Sequence, residues 1–150
     1  MPSLKCVIGV GSPHGDDRIG WLIAEKVQDR GGDVVAIHKV GAPLDILEQI
    51  DGVEWLGICD ACRGVGRAGD WHRWTWPDEQ LVQHEFTGTH DIGLTAALNL
   101  AERLGRLPGK VMVWGIEIAS CQPGDDVSPS VMATVPLVAD AILCETRISR

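Results

Sequence analysis

Short apolar runs alternate with segments of helical spacing along the chain, and that alternation restricts the fold more than any other feature. Leu4–Val10 is a nearly continuous apolar run closed by Gly9, Val10 and Gly11, the pattern of a strand buried on both faces. After a polar turn, Ser12–Asp17, the residues Ile19, Leu22, Ile23 and Val27 recur at helical spacing until Gly31 and Gly32 stop them. Val34–Val40 predicts a second strand. Leu44, Leu47 and Ile50 predict a short helix opened by Pro43, and Val53–Cys59 predicts a third strand that ends at Asp60. Asp70–Trp76 alternates with period two, Trp71, Arg73 and Thr75 against His72, Trp74 and Trp76, which marks an edge strand with one exposed face.

The remaining segments follow the same scheme. Leu94, Ala97, Leu98, Ala101 and Leu104 define an amphipathic helix ending near Gly105, and Val111–Ile118 is the last strand. Ser128 and Pro129 supply an N-cap and an N1 proline for a final helix through Val131, Val135, Val138 and Ile142, with a kink expected at Pro136. Strands separated by helices at short spacing predict an α/β fold: three layers, α/β/α, around a mostly parallel five-stranded sheet with one antiparallel edge strand. No linker, repeat or low-complexity tract interrupts residues 1–150, which are read as one domain.

Composition excludes several function classes. With 21 acidic against 13 basic residues and a net charge of −8, the chain lacks the clustered Lys and Arg that nucleic acid or an anionic membrane would require. No apolar stretch approaches the roughly 20 residues needed to span a bilayer, and the first residues do not read as a signal peptide, so a cytoplasmic protein without membrane insertion is expected. The five cysteines are odd in number and sit mostly in apolar segments, which suits reduced thiols. Cys59 and Cys62 form a C-x-x-C spacing, open to a redox or metal reading. No second pair completes a Cys₄ site, however, and Cys59 falls in a buried strand, which favours an inert thiol.

Ligands of parallel sheets collect at the carboxyl ends of the strands. The loops at Ser12–Asp17, Asp60–Gly66 and Thr87–Asp91 can all meet there, which makes their polar residues the candidates. Gly9-Val10-Gly11 between a strand and a helix invites a dinucleotide reading, but the third fingerprint glycine would fall at His14 and the helix start carries Asp16 and Asp17, which repel phosphate. A tight strand-to-helix turn accounts for these glycines. Asp16 and Asp17 are open to two readings, as first-turn residues that complement free backbone N–H groups or as chemical groups. His90 is likewise either a hydrogen-bonding residue at a helix start or a ligand. Two carboxylates, one of them Asp60, and the His90 imidazole could converge at one rim, a donor set that suits Zn²⁺, Ni²⁺ or Fe²⁺ with open positions. The other histidines, His14, His38, His72 and His84, read as surface or strand-face residues.

The run Gly9-Val10-Gly11-Ser12-Pro13-His14-Gly15-Asp16-Asp17-Arg18-Ile19-Gly20 resembles the N-terminal signature of the hydrogenase maturation endopeptidases, which trim the large-subunit precursor of nickel–iron hydrogenases. Val40-Gly41-Ala42-Pro43, Ile58-Cys59-Asp60-Ala61, Gly69-Asp70, Thr89-His90-Asp91, Gly115-Ile116-Glu117 and Ser128-Pro129 follow in the order of that family's landmarks, so the resemblance covers essentially the whole chain. It implies that Asp17, Asp60 and His90 bind metal. It further implies that the metal is nickel carried by the precursor, other divalent ions being able to occupy the site, and that a C-terminal extension is then cleaved from a partner met by a monomeric enzyme. No Ser–His–Asp or Cys–His set is apparent, which favours metal-linked hydrolysis with Asp16 as general base. Ser12, Arg18 and Ile118 depart from the family pattern and the first loop is one residue shorter, departures that bear on substrate choice and then on activity. Two other functions stay open: a catalytically silent homologue that binds the metal-loaded precursor, and a nucleotide-binding or metal-dependent hydrolase domain.

Overall fold

The computed structural model describes residues 4–31, 35–79, 81, 85–86, 93–120 and 122–148. Strand β1 (Lys5–Val10) runs into a single 3₁₀ turn (Gly15–Arg18) and helix α1 (Ile19–Gly31). Strand β2 (Val35–Val40), a 3₁₀ segment (Pro43–Glu48) and strand β3 (Trp55–Arg63) follow, then β4 (Trp71–Thr75), β5 (Glu85–Phe86) and helix α2 (Leu94–Arg103). Strand β6 (Lys110–Glu117) and helices α3 (Pro129–Met132) and α4 (Thr134–Ile148) complete the chain. The main sheet has the order β2-β1-β3-β6-β4, parallel except for β4, which pairs antiparallel with β6 at one edge. The expected five strands and antiparallel edge are therefore present.

Both faces of the sheet are covered, which gives the three expected layers. Val7, Trp55, Cys59, Trp114 and Ile116 pack on one side against Ile19, Ile23 and Val27 of α1 and Val138 and Ile142 of α4. Ile8, Val10, Leu56, Ile58 and Val113 pack on the other side against Ile46 and against Leu94, Leu98 and Ala101 of α2. Successive residues of β3 thus enter opposite cores, and burial on both faces is why its sequence is continuously apolar rather than alternating. Strand β4 pairs on one side only, and within it only Trp74 is buried. Among the described residues no helix is long and apolar enough to cross a membrane.

Four details differ from the sequence reading. The third strand does not stop at Asp60 but continues to Arg63, because the parallel pairing with β6 carries on through Cys62 opposite Glu117. That extension gives β5 its partner: Phe86 pairs antiparallel with Cys62 and Glu85 with Arg63. The segment after Pro43 is 3₁₀, with Pro43 and Ile46, three residues apart, both buried. The final helix divides at Ala133, since Pro136 offers no N–H to the Met132 carbonyl and its ring crowds that group.

The topology fixes where a ligand can sit. From β1 the chain crosses through α1 to β2 on one side, whereas β3 lies on the other side of β1. Strand order therefore reverses between β1 and β3, and the crevice outside their carboxyl ends is the usual binding position in open α/β sheets.

Candidate functional site

The crevice is assembled by close backbone packing. A Cβ on Gly9 would fall 2.7 Å from the Gly20 carbonyl carbon, and one on Gly20 would fall 2.7 Å from the Cys59 oxygen. These glycines let the first turn of α1 touch β1 and β3 directly, which is the packing role rather than the phosphate role of such residues. The 3₁₀ turn ahead of α1 starts at Gly15, whose φ of +54° favours glycine, and it buries both Asp16 and Asp17 beside the crevice.

Asp16 is wholly saturated. Its Oδ2 accepts the N–H groups of Ala119 (2.9 Å) and Ser120 (3.0 Å) and the Ser128 hydroxyl (2.8 Å), while Oδ1 accepts the Ser128 N–H (2.5 Å). The Asp16 N–H in turn donates to the Ser120 carbonyl at 2.7 Å. Burial alone would raise its carboxyl, but the Ser128, Ser120 and Ala119 amides and the Ser128 hydroxyl outweigh it and hold the group below the usual carboxylate range. Ser128 stands at the N-cap position of α3 yet makes no capping bond; its hydroxyl is given to Asp16 instead. The aspartate thus ties the turn after β1 to the segment between β6 and α3.

Asp60 is the opposite case. It is 1% exposed, and among the described residues neither carboxylate oxygen has a hydrogen-bond partner of good geometry. Burial pushes its carboxyl well above the usual range, the Asp17 carboxylate pushes the same way, and the nearby Ala61 amide offsets them only in part. A buried carboxylate without partners next to a second carboxylate is costly, and a cation is the group that would relieve both. The donor chemistry therefore fits a divalent ion held by Asp17 and Asp60, with oxygen ligands that suit nickel or zinc in company with an imidazole. Among the described residues no three His, Cys, Asp or Glu side chains gather into a complete ion site. His90 lies outside the described residues, as does His84.

The remaining sequence candidates separate clearly. Cys59 and Cys62 both lie within β3, so three residues of extended chain put them about 10 Å apart on opposite faces of the sheet. Cys59 donates weakly to the Gly20 carbonyl (3.4 Å), and burial raises its thiol, with the Asp60 carboxylate adding to the effect. Burial pushes the Cys62 thiol up to about 12, aided by the Glu117 and Asp60 carboxylates. Neither a disulfide nor a chelate is possible at this spacing. His38 is half-buried on β2, His72 is exposed on β4 against the Trp74 ring, and His14 is half-buried beside the 3₁₀ turn. One residue escaped the sequence reading except as a landmark: Glu117, 6% exposed, accepts the N–H groups of Val65 (2.8 Å) and Gly66 (3.2 Å). An acid closing an apolar strand was its only signal.

With this geometry in place, solved structures supply the comparison. The hydrogenase maturating endopeptidase HybD from E. coli superposes with a TM-score of 0.77 at 23% identity, covering 96% of this chain and 92% of that one. The fold is that of hydrogenase maturation proteases. A [NiFe] hydrogenase maturation protease HycI from Thermococcus kodakarensis gives a TM-score of 0.72 at 18% identity over 94% of this chain and 90% of that one. A hydrogenase 2 maturation peptidase from a Thaumarchaeota archaeon gives 0.73 at 22% identity over 98% and 100%. No protein-family model matches the chain. No curated protein matches it by sequence. At these identities the likeness establishes the shared fold.

Proposed function

We propose that this chain is an endopeptidase that removes a C-terminal extension from the nickel-loaded large-subunit precursor of a nickel–iron hydrogenase. The observation that carries the reading is Asp60, a buried carboxylate whose oxygens find no well-placed hydrogen-bond partner among the described residues, set beside Asp17 at the point where strand order reverses. On a fold shared with hydrogenase maturation proteases, that arrangement calls for a cation arriving from outside. The nickel is part of the substrate, and other divalent ions can take its place. It supplies positive charge to the acid pair and a Lewis-acid centre beside the scissile peptide.

The chain's own residues then have separate tasks. Asp17, Asp60 and His90 bind and orient the metal end of the precursor. Phe86 pairs with Cys62, and His90 is four residues along the chain from that anchor. Asp16 fixes the turn that presents Asp17, because its four accepted bonds span two segments of the rim. Service as a general base would require Asp16 to exchange one of those bonds for the attacking water, so its first task is positional.

The test is to incubate the purified protein with nickel-loaded and nickel-free precursor and weigh the products. Loss of a C-terminal fragment from the nickel-loaded form alone is expected. Binding of the loaded precursor without any loss of mass would overturn the endopeptidase reading in favour of a silent binding homologue. A nucleotide-dependent rise in thermal stability would favour a nucleotide-binding domain.

A further inference from the structure

Besides Asp16, Asp17 and Asp60, a further buried carboxylate stands at this rim. Glu117 ends β6 directly opposite Cys62, with Gly115 opposite Asp60 two residues earlier, so its side chain faces the same side of the sheet as the Asp60 carboxylate. Its Oε1 holds the amides of Val65 and Gly66, at the start of the loop that leaves β3. Its backbone holds the other end of that loop: the Gly69 N–H donates to the Glu117 carbonyl (2.9 Å) and the Glu117 N–H to the Asp70 carbonyl (2.8 Å). A single residue thereby fastens both ends of the segment 64–70.

The segment needs such fastening. Gly64, Gly66 and Gly69 have φ of +98°, +148° and +95°, a glycine-rich path that is loose unless its amides are held. Further contacts complete the brace. The Asp70 carboxylate accepts the Arg67 N–H at 2.9 Å, and a Cβ on Gly69 would lie 2.7 Å from the Ser130 oxygen. The loop begins four residues past Asp60, at the carboxyl end of β3, so a peptide chain laid across the crevice meets it.

We propose that Glu117 is a positioning residue that holds loop 64–70 as a preformed wall of the substrate cleft. The proposal rests on the endopeptidase reading and adds to it the residue that shapes the cleft on the side away from α1. A carboxylate suits the task because charge-assisted bonds to backbone amides are about twice as strong as neutral ones. The side-chain carbonyl of glutamine can occupy the place of Oε1, whereas alanine leaves two amides without an acceptor.

The experiment compares wild type, Glu117→Ala and Glu117→Gln in processing of the nickel-loaded precursor, with hydrogen exchange at Val65 and Gly66 and precursor affinity measured on the same samples. Glu117→Ala is expected to raise KM and Kd roughly tenfold, since binding must then reorder a loop, with kcat within about twofold of wild type. Exchange at the two amides is expected to quicken by about tenfold or more, and Glu117→Gln to restore both properties. A fall in kcat at unchanged KM, the mark of a smaller folded fraction, would overturn the proposal, and so would unchanged exchange. If the alanine protein does not fold, Glu117→Asp retracts the acceptor by one methylene while keeping the charge, and the same readings apply. A wild type that binds precursor without cleaving it refutes the endopeptidase reading alone, and the affinity and exchange arms still decide the role of Glu117. A wild type that does neither refutes both.

Discussion

Replacing Asp60 by asparagine should make the metal-free protein more stable. The wild-type carboxylate is 1% exposed, both oxygens lack a well-placed partner among the described residues, and Asp17 adds a second negative charge nearby. Asparagine keeps the shape and removes the charge, so the gain is the difference between an orphaned ion and an orphaned amide, about 1–3 kcal/mol. For a chain of 150 residues that is roughly 3 °C of Tm per kcal/mol.

The sign depends on pH in a way that identifies the cause. Because the folded-state carboxyl lies above its unfolded value near 3.9, the unfolded chain gives up this proton first. Wild-type stability at this site is therefore intact below about pH 4 and falls as pH rises toward the raised folded value, by at most about 1.4 kcal/mol per pH unit. Urea unfolding followed by tryptophan fluorescence, with a chelator present, should show the two proteins converging near pH 4 and the asparagine variant ahead at about pH 8. The same variant should lose processing of the nickel-loaded precursor, a gain of stability at the expense of function. An asparagine variant no more stable than wild type at about pH 8 would refute the claim that Asp60 is an uncompensated buried charge.

Asp16→Ala should cost about 3–5 kcal/mol in urea unfolding, because three backbone N–H groups and a hydroxyl lose a charged acceptor; a loss under about 1 kcal/mol would show that water replaces it. Its pH dependence runs opposite to that of Asp60: with the folded carboxyl held low, the contribution is complete above about pH 4 and is lost as pH falls through the depressed value. Gly20→Ala should prevent stable folding, since its Cβ would strike the Val10 and Cys59 carbonyls, while Gly41→Ala, with no atom within 4 Å, should shift the urea midpoint by no more than a few tenths of a kcal/mol's worth. Mass-mapped alkylation of the native protein at about pH 8 should mark exposed Cys144 and leave Cys6, Cys59 and Cys62 untouched; rapid modification of Cys62 would revive a reactive C-x-x-C.

Much of this fold is legible because periodicity reports burial. The unbroken apolar run of β1, the helical spacing of Ile19, Ile23 and Val27, and the period two of Trp71–Trp76 each follow from what the element faces. The sequence ends the third strand at Asp60 for the same reason: a carboxylate and a following Arg63 look like the exit from a core, and nothing local tells that Glu117 and Phe86 pair with Cys62 on either side. Strand β5, two residues long, has no period at all. The apolar spacing of Leu44, Leu47 and Ile50 signals the 3₁₀ segment only through its three-residue repeat, which an α-helical face also tolerates over so short a length.

The acids show where sequence reading runs out. Asp16, Asp17 and Asp60 are three identical side chains in polar-looking turns, and position alone suggests that they gather at one rim. Their chemistry diverges because of partners that the chain brings from far away. Asp16 meets the amides of Ala119, Ser120 and Ser128, more than a hundred residues along the sequence, and becomes a strong, low-lying carboxylate that joins two loops. Asp60, held inside β3 opposite Gly115 of β6, has only the nearby Ala61 amide to offset its burial and becomes a charge that the described residues leave largely unanswered. The general-base role expected for Asp16 drew on its place in the acid pair; the bonds it makes point first to the holding of Asp17. A rim in which one carboxylate is fully satisfied and its neighbour largely deprived is what a recruiting site requires: a rigid frame that already has its hydrogen bonds, surrounding a charge that stays costly until the substrate's cation arrives.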